Sequence, residues 1–290
     1  MFGQLIVSGL AVGFCYALLA LAMVIIYKTS EVLNFAQGEM AMISTFLAFQ
    51  LLEGYQLSFP LALLLTFLFA GALGAFLELA FLRPAKDPTV IGLIIITLGF
   101  EMILMGFAGW KWGPDQRSMP FPLASFETYS FSGLLISKIN FWTIIICVIL
   151  IVLLFLFFGY SKLGTAMRAT QQNRLVARLM GIRTKRIFSF TWALSSFIGA
   201  VAGMFIAALT VLDPSMMMDP LMKAFASAVL GGMTSLAGAA VGGAILGVAE
   251  NLFGGYVSMA FKSVVAFAII VLMLCFRPSG LLGKHFVKKV

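Results

Sequence analysis

Charge is what this chain has least of. Only 10% of its 290 residues are Asp, Glu, Lys or Arg, where a soluble domain carries roughly 25%. Hydrophobic residues make up 62% and the mean hydropathy is +1.08. A fold wrapped in a water-facing charged shell is thereby excluded, and a polytopic membrane protein is expected. Histidine occurs once, at His285 in the basic tail. With no His-Glu-x-x-His, Cys-x-x-Cys or Gly-x-Ser-x-Gly pattern, metal and acid–base chemistry have few candidates. Cys15, Cys147 and Cys275 fall in apolar runs without metal-ligand spacing and read as small core hydrophobes. There is no Gly-x-x-x-x-Gly-Lys-Ser/Thr phosphate loop, and Gly283-Lys284-His285 lacks its spacing, so nucleotide hydrolysis by that route is excluded. The apolar runs are continuous, not alternating, which favours helices over a barrel. No Lys or Arg precedes the first run, at about 5–27, and it exceeds the core of a signal peptide. It reads as a retained first helix.

About 20 residues at 1.5 Å rise cross a hydrocarbon core of roughly 30 Å. Spans are expected at about 4–27, 34–52, 60–82, 89–112, 140–160 and 187–212. Pro60 opens the third and Arg83-Pro84 closes it. Trp110, Trp112 and Trp142 sit at span ends, as interfacial aromatics do. A last apolar block, 221–276, divides as 221–236, 238–254 and 259–276 if it crosses three times, or forms a re-entrant hairpin with fewer crossings. The expected fold is therefore all-α, one membrane domain over 1–290. It is a polytopic helix bundle of about 8–9 spans, with a re-entrant or broken helix near 221–238. "VLGGMTSLAG" (229–238) is the place for the break, since adjacent glycines weaken a helix interior.

Fourteen of the nineteen basic residues fall on one side of this arrangement. Seven lie in 161–186, which has no acid; the rest are Arg277, Lys284, Lys288 and Lys289 in the tail, Arg83, Lys86 and Lys28. The positive-inside rule makes that side, and the C-terminus, cytoplasmic. The opposite connections mix Glu53, Asp115, Glu127, Asp213 and Asp219 with Lys111, Arg117, Lys138, Lys223 and Lys262. Gly9/Gly13, Gly199/Gly203, Gly238/Gly242 and Gly243/Gly247 are small-residue pairs at the spacing that lets helices approach closely. Packing within the chain is the expected use, with a subunit interface as the alternative.

The basic connection contains "GTAMRATQQNRLVARLMGIRTKRI" (164–187). From Gln171 it reads as one short amphipathic helix, with Gln171, Arg174 and Arg178 on one face and Leu175, Val176, Leu179 and Met180 elsewhere. Gly181 acts as its stop. Two readings fit: a helix lying on anionic lipid, or a docking helix for a cytoplasmic partner.

Glu39, Glu78, Glu101 and Glu250 fall inside expected spans, where a charge costs about 2.5–3.5 kcal/mol on insertion scales. Glu101 lies mid-span with Thr97 one turn earlier on the same face. It is either a pathway residue meeting a polar or cationic solute group or a glutamate tying two helices together. Glu250 and Asn251 sit in the glycine-rich helix, where a packing or gating hydrogen bond is expected. Glu78 can reach Arg83 or Lys86 near the helix end. In "TSEVLNFAQGEM" (29–40), Asn34 reads as a helix N-cap, Gln37 as its capping-box partner and Glu39 as a favourable acid in the first turn. The same residues are candidates for lining the inner mouth of a pathway.

The loop elements Gly164, Arg168-Ala169 and Met180-Gly181-Ile182 resemble the coupling loop of permeases of the branched-chain amino acid ABC-importer family. "NFAQGEM" (34–40), "ITLG" (96–99), "GPDQRSMP" (113–120), "VLGGMTSLAGAAVGGAILGVAENL" (229–252) and "FRPSGLLG" (276–283) match in order along the whole chain. The likeness is to the LivH-like of the two permease types. Thr234 departs from the family's usual turn. The resemblance implies a permease subunit and not an enzyme, importing branched-chain amino acids or a related small polar solute across a bacterial or archaeal cytoplasmic membrane. Its implied partners are a LivM-like second permease, two cytoplasmic ATPases, an external solute-binding protein and membrane lipid, with no nucleic acid. No cofactor is expected in this chain, ATP and magnesium belonging to the ATPases. The implied coupling residues are Gly164, Arg168, Arg174, Arg178, Leu179, Met180 and Gly181. Pathway candidates are Asn34, Gln37, Glu39, Thr97, Glu101, Glu250 and Asn251. The alternative is a stand-alone channel or ion-coupled carrier using Glu101 and Glu39.

Overall fold

The structure is a computed structural model that describes residues 2–85, 89–122, 128–131, 134–259, 261–277 and 279–283. Lys86, Glu127, Lys284, His285, Lys288 and Lys289, which entered the charge reading, lie outside the described residues. Helix α1 spans Phe2–Ser30. Helix α2, Gln37–Phe49, runs on through a π-helical turn at Gln50–Gly54. Helix α3, Phe59–Leu77, does the same through Glu78–Leu82, and α4 covers Val90–Trp112. A small antiparallel hairpin, β1 (Thr128–Phe131) and β2 (Leu134–Ser137), follows between the spans expected at 89–112 and 140–160. Then come α5 (Lys138–Tyr160), α6 (Lys162–Gln172), α7 (Arg174–Leu179), α8 (Thr184–Leu209), α9 (Met218–Gly231), α10 (Leu236–Tyr256) and α11 (Val264–Phe276). The molecule is an all-helical membrane bundle, the hairpin aside.

Local chemistry sets most boundaries. Ser58 and Pro60 open α3, and Thr89 Oγ1 accepts the Gly92 N–H at the start of α4 (3.1 Å). Ser235 Oγ caps α10 on Gly238 N (3.0 Å). Gly232, at φ 103°, ends α9 at the expected break, a conformation that side chains disfavour.

Among the described residues six helices are long and apolar enough to cross a membrane: α1, α3 with its π-helical turn, α4, α5, α8 and α10. At 1.5 Å per residue α9 and α11 are each about 20 Å long, shorter than a full crossing. Helices α1 and α8 are buried through most of their length, whereas α3, α4 and α5 show most of their surface. The two ends of the bundle are chemically distinct. One gathers the C-terminal ends of α1, α3 and α9 with α6, α7 and residues 279–283, joined by Arg174 Nη2 to Thr29 O (3.3 Å), Arg83 Nη2 to Lys185 O (2.9 Å) and Leu281 N to Leu230 O (2.9 Å). This is the basic end. At the other end the 113–122 segment pairs Arg117 with Leu212 by backbone hydrogen bonds.

The glycine pairs pack within the chain. Gly9 and Gly13 of α1 lie against Gly247 and Gly243 of α10 so closely that a Cβ on Gly243 would overlap the Ala17 backbone. Gly199 and Gly203 of α8 face Gln37, Ala41 and Thr45 of α2. Dispersion across bare backbone holds such contacts, since lipid offers no hydrophobic drive between helices. Gly243→Val is expected to lower stability by about 1–3 kcal/mol through overpacking. Thermal unfolding in detergent checks this, with Gly159→Ala, which has open space around it, leaving the melting temperature unchanged. Cys15 and Cys147 are buried as expected, but Cys275 is exposed on α11.

Candidate functional site

Residues 31–36 leave the helical path at the end of α1, beginning with Glu31 at φ 60°, and α2 starts at Gln37. The capping expectation fails here. The N-cap is Ala36, which makes no side-chain cap, and Asn34, Gln37 and Glu39 are not at an interface but 0%, 0% and 2% exposed. The cause is a cross-bundle network that claims the amides. Gln37 Nε2 donates to Ser195 O (3.2 Å) on α8, and Asn34 Nδ2 donates to Gln37 Oε1 (3.1 Å). The Ser195 hydroxyl has both Gln37 Oε1 and Ala22 O within 2.9 Å, its one proton serving one at a time. Ser195, which sequence reading missed, ties α1, α2 and α8 together. Its signal was faint, a serine in an otherwise ordinary small-residue run.

Helices α2 and α4 lie side by side and parallel. Phe35 N donates to Thr97 Oγ1 (3.3 Å) and Trp112 Nε1 donates to Gln50 Oε1 (3.1 Å), both at a sequence offset of 62. Phe46 stacks on Trp112 in the same seam, 4.9 Å between centroids. That constant offset carries Glu39 to the level of Glu101, and the two carboxylates are within electrostatic range. Thr97 is buried and has Leu33 O (3.3 Å) and Ile94 O (2.8 Å) within reach of its proton, so its role is to fix α4 to the break. Glu101 is half-buried on the Thr97 side of α4, while its neighbour Met102, turned to the open side, is 75% exposed. Two buried oxygens here, Asn34 Oδ1 and Glu39 Oε2, have no hydrogen-bond partner among the described residues.

Glu250 does not join this group. It lies at the far end of the bundle, where Glu250 Oε1 accepts from Lys223 Nζ of α9. Lys223 also pairs with Asp219 Oδ2 (2.5 Å), and Lys262 Nζ stands 3.9 Å from Glu250 Oε1. The expected packing hydrogen bond is thus a buried ion pair. Lys223, taken as a residue of an external connection, is inside α9 and 5% exposed. Asn251 borders α1, where a Cβ on Gly9 would meet its own Cβ.

At the basic end, the single amphipathic helix expected from Gln171 is two helices. Asn173 breaks it, its Oδ1 accepting from Leu175 N (2.9 Å) and Val176 N (3.1 Å) to cap α7. Gly181, φ 82°, stops α7 as expected, with Ile182 N returning to Ala177 O (3.0 Å). The arginines do not ring a free apolar patch. Arg174 stacks on Phe188, 4.8 Å from the ring centre, and reaches Thr29 O, while Arg178 Nε donates to Thr184 Oγ1 (3.0 Å). They fasten the loop to α1 and α8. What faces outward is Leu175, Val176, Leu179 and Met180, the last two 79% and 77% exposed. Gly164 packs on the Phe157–Phe158 backbone, and Arg168 Nη2 donates to Gly159 O (3.3 Å), so both hold α6 against α5. Nearby, Glu78 takes Arg83 in a two-pronged ion pair (3.1 and 2.9 Å) and accepts from Ser189 Oγ (2.7 Å), joining the end of α3 to the start of α8.

Residues 5–274 match the family described as branched-chain amino acid transport system, permease component. The chain belongs to this family. It is 31% identical to the high-affinity branched-chain amino acid transport permease LivH of Salmonella typhimurium, over 100% of this chain and 98% of that one. It is 32% identical to BraD of Pseudomonas aeruginosa (99% and 97% covered) and 30% identical to a probable LivH of Methanocaldococcus jannaschii (99% and 92%). Among solved structures, PsaBC of Streptococcus pneumoniae in complex with a Fab superposes with a TM-score of 0.52 at 13% identity, covering 96% of this chain and 93% of that one. That likeness concerns the fold alone. This member of the branched-chain amino acid permease family is thus a multi-pass membrane transport component. In it the polar break lies in the interior, and the exposed apolar helix lies at the basic end.

Proposed function

We propose that the chain is one permease subunit of an ATP-driven importer in the cytoplasmic membrane, with its basic end and C-terminus facing the cytoplasm. The full-length match to branched-chain amino acid permeases carries this reading. The solute is a branched-chain amino acid or a related small polar molecule, delivered by an external binding protein. A second, LivM-like permease completes the pathway. Two ATPases, which hold ATP and magnesium, dock on the Leu175, Val176, Leu179 and Met180 surface. Asn34, Gln37, Glu39, Thr97 and Glu101 lie along the pathway side. Glu250 and Asn251 instead brace α10.

The mechanism is alternating access. An ATPase dimer shifts the permease only by binding its two states unequally. Its closure is felt at α7 and passes to α1 through Arg174, to α8 through Arg178 and Thr184, and to α3 through the Arg83–Glu78–Ser189 junction. The break after α1, held by Gln37 and Ser195, lies between those helices. Affinity purification of the tagged chain from its native membrane is expected to bring down an ATPase and a second permease. Recovery of the chain alone from gently solubilised membranes contradicts the proposal.

A further inference from the structure

We infer that Glu39 and Glu101 together form a recognition site for an N–H-rich nitrogen group on the transported solute, such as an ammonium, guanidinium or amide. The inference rests on the importer reading above and adds to it a site and a solute chemistry. The two carboxylates stand at one level on parallel helices, as the hydrogen bonds offset by 62 residues fix. Glu39 is 2% exposed and its Oε2 has no partner. Asn34 Oδ1, in the turn just before, is equally buried and equally unpartnered. Buried acceptors without donors cost about 1–3 kcal/mol each, more when charged, so a native site that keeps them supplies a donor from somewhere.

The described residues do not supply it. Neither α2 nor residues 90–110 of α4 contain Lys or Arg. The described cations with known partners serve the two ends of the bundle: Arg83, Arg168, Arg174 and Arg178 at the basic end, and Lys111, Arg117, Lys223 and Lys262 at the other. The site is reachable through Glu101, which is half-buried on the face of α4 that carries Thr97 one turn earlier. A mid-span carboxylate turned to lipid is disfavoured, so this face borders water or protein. Acceptors on three side chains without a matching donor select a group carrying several N–H bonds.

The test uses the assembled transporter in two measurements. Thermal shift of the detergent-purified permease–ATPase complex is followed with millimolar leucine, urea or guanidinium, and with 4-methylpentanoate, which lacks nitrogen. At least one nitrogen probe is expected to raise the wild-type melting temperature, with no effect from 4-methylpentanoate. Glu101→Gln and Glu39→Gln lose the shift and Glu101→Asp keeps it. In proteoliposomes with saturating binding protein, Glu101→Gln is expected to lower solute moved per ATP hydrolysed about ten-fold, the loss of one charge-assisted hydrogen bond. A merely structural glutamate lowers uptake and hydrolysis together. An unchanged shift in Glu101→Gln, no shift with any nitrogen probe, or an unchanged solute-to-ATP ratio overturns the inference. Wild-type uptake that ignores ATP would instead overturn the importer reading.

Discussion

Leu179→Glu is expected to abolish ATP-driven uptake while the permease remains folded and in the membrane. Leu179 is 79% exposed at the end of α7 and touches little of its own chain, so the substitution does not disturb the bundle. Its neighbours Leu175, Val176 and Met180 form an apolar surface held in place by Arg174 on Phe188 and Arg178 on Thr184. A surface of this kind makes sense buried in a partner. A carboxylate at its centre would have to be desolvated without a counter-ion, and losses of about 2–4 kcal/mol are typical when such an anchor is removed. That weakens docking roughly 30-fold or more. Co-purification of the ATPase and uptake into vesicles are the readouts. Arg178→Glu is expected to fail differently, since Arg178 bonds Thr184. The ATPase can still bind, but its motion reaches α8 poorly. ATP hydrolysis without uptake is its signature, whereas Leu179→Glu loses both.

Lys223→Met is expected to destabilise the protein by about 3–5 kcal/mol, the range for breaking a buried ion pair by removing one partner. Glu250, with a side chain 1% exposed, would be left with Lys262 at 3.9 Å as its one described cation, beside the Tyr16 hydroxyl. Removing both charges, as Lys223→Met with Glu250→Leu, is expected to recover most of the loss, because a well-packed apolar pair carries no desolvation cost. Thermal unfolding of the two single variants and the double variant forms the cycle. Additive losses would show that the pair is not coupled. The pair joins α9 to α10, so the short α9 depends on it for position.

The helices were legible because runs of apolar residues and their stops are local properties. The break at Gly231–Gly232 and the stop at Gly181 needed only glycine's backbone freedom. The glycine pairs were legible as close contacts, though not which helices they join. What sequence hid was long-range partnership. Gln37 and Ser195 are 158 residues apart, and Lys223 and Glu250 are on different helices. In the linear text Asn34 and Gln37 have the spacing of a capping box, and only the packing of α8 against α2 diverts their amides. Lys223 reads as external because it falls near the outer start of the last apolar block. The amphipathic pattern runs one helix through Asn173, yet an asparagine that caps the next turn is visible in the residue type alone. Glu101 was located at mid-span from the sequence, but the parallel seam that sets it level with Glu39 appears only in three dimensions.

The account centres on a permease driven by separate ATPases, and reconstitution into liposomes tests that most directly. Radiolabelled leucine uptake is followed with binding protein outside and ATP inside. The chain, its second permease and the two ATPases together are expected to accumulate leucine only when ATP is present, and the chain alone to move none down a gradient. Leucine flux through the chain alone, without ATP, would contradict the account and favour the stand-alone channel or carrier.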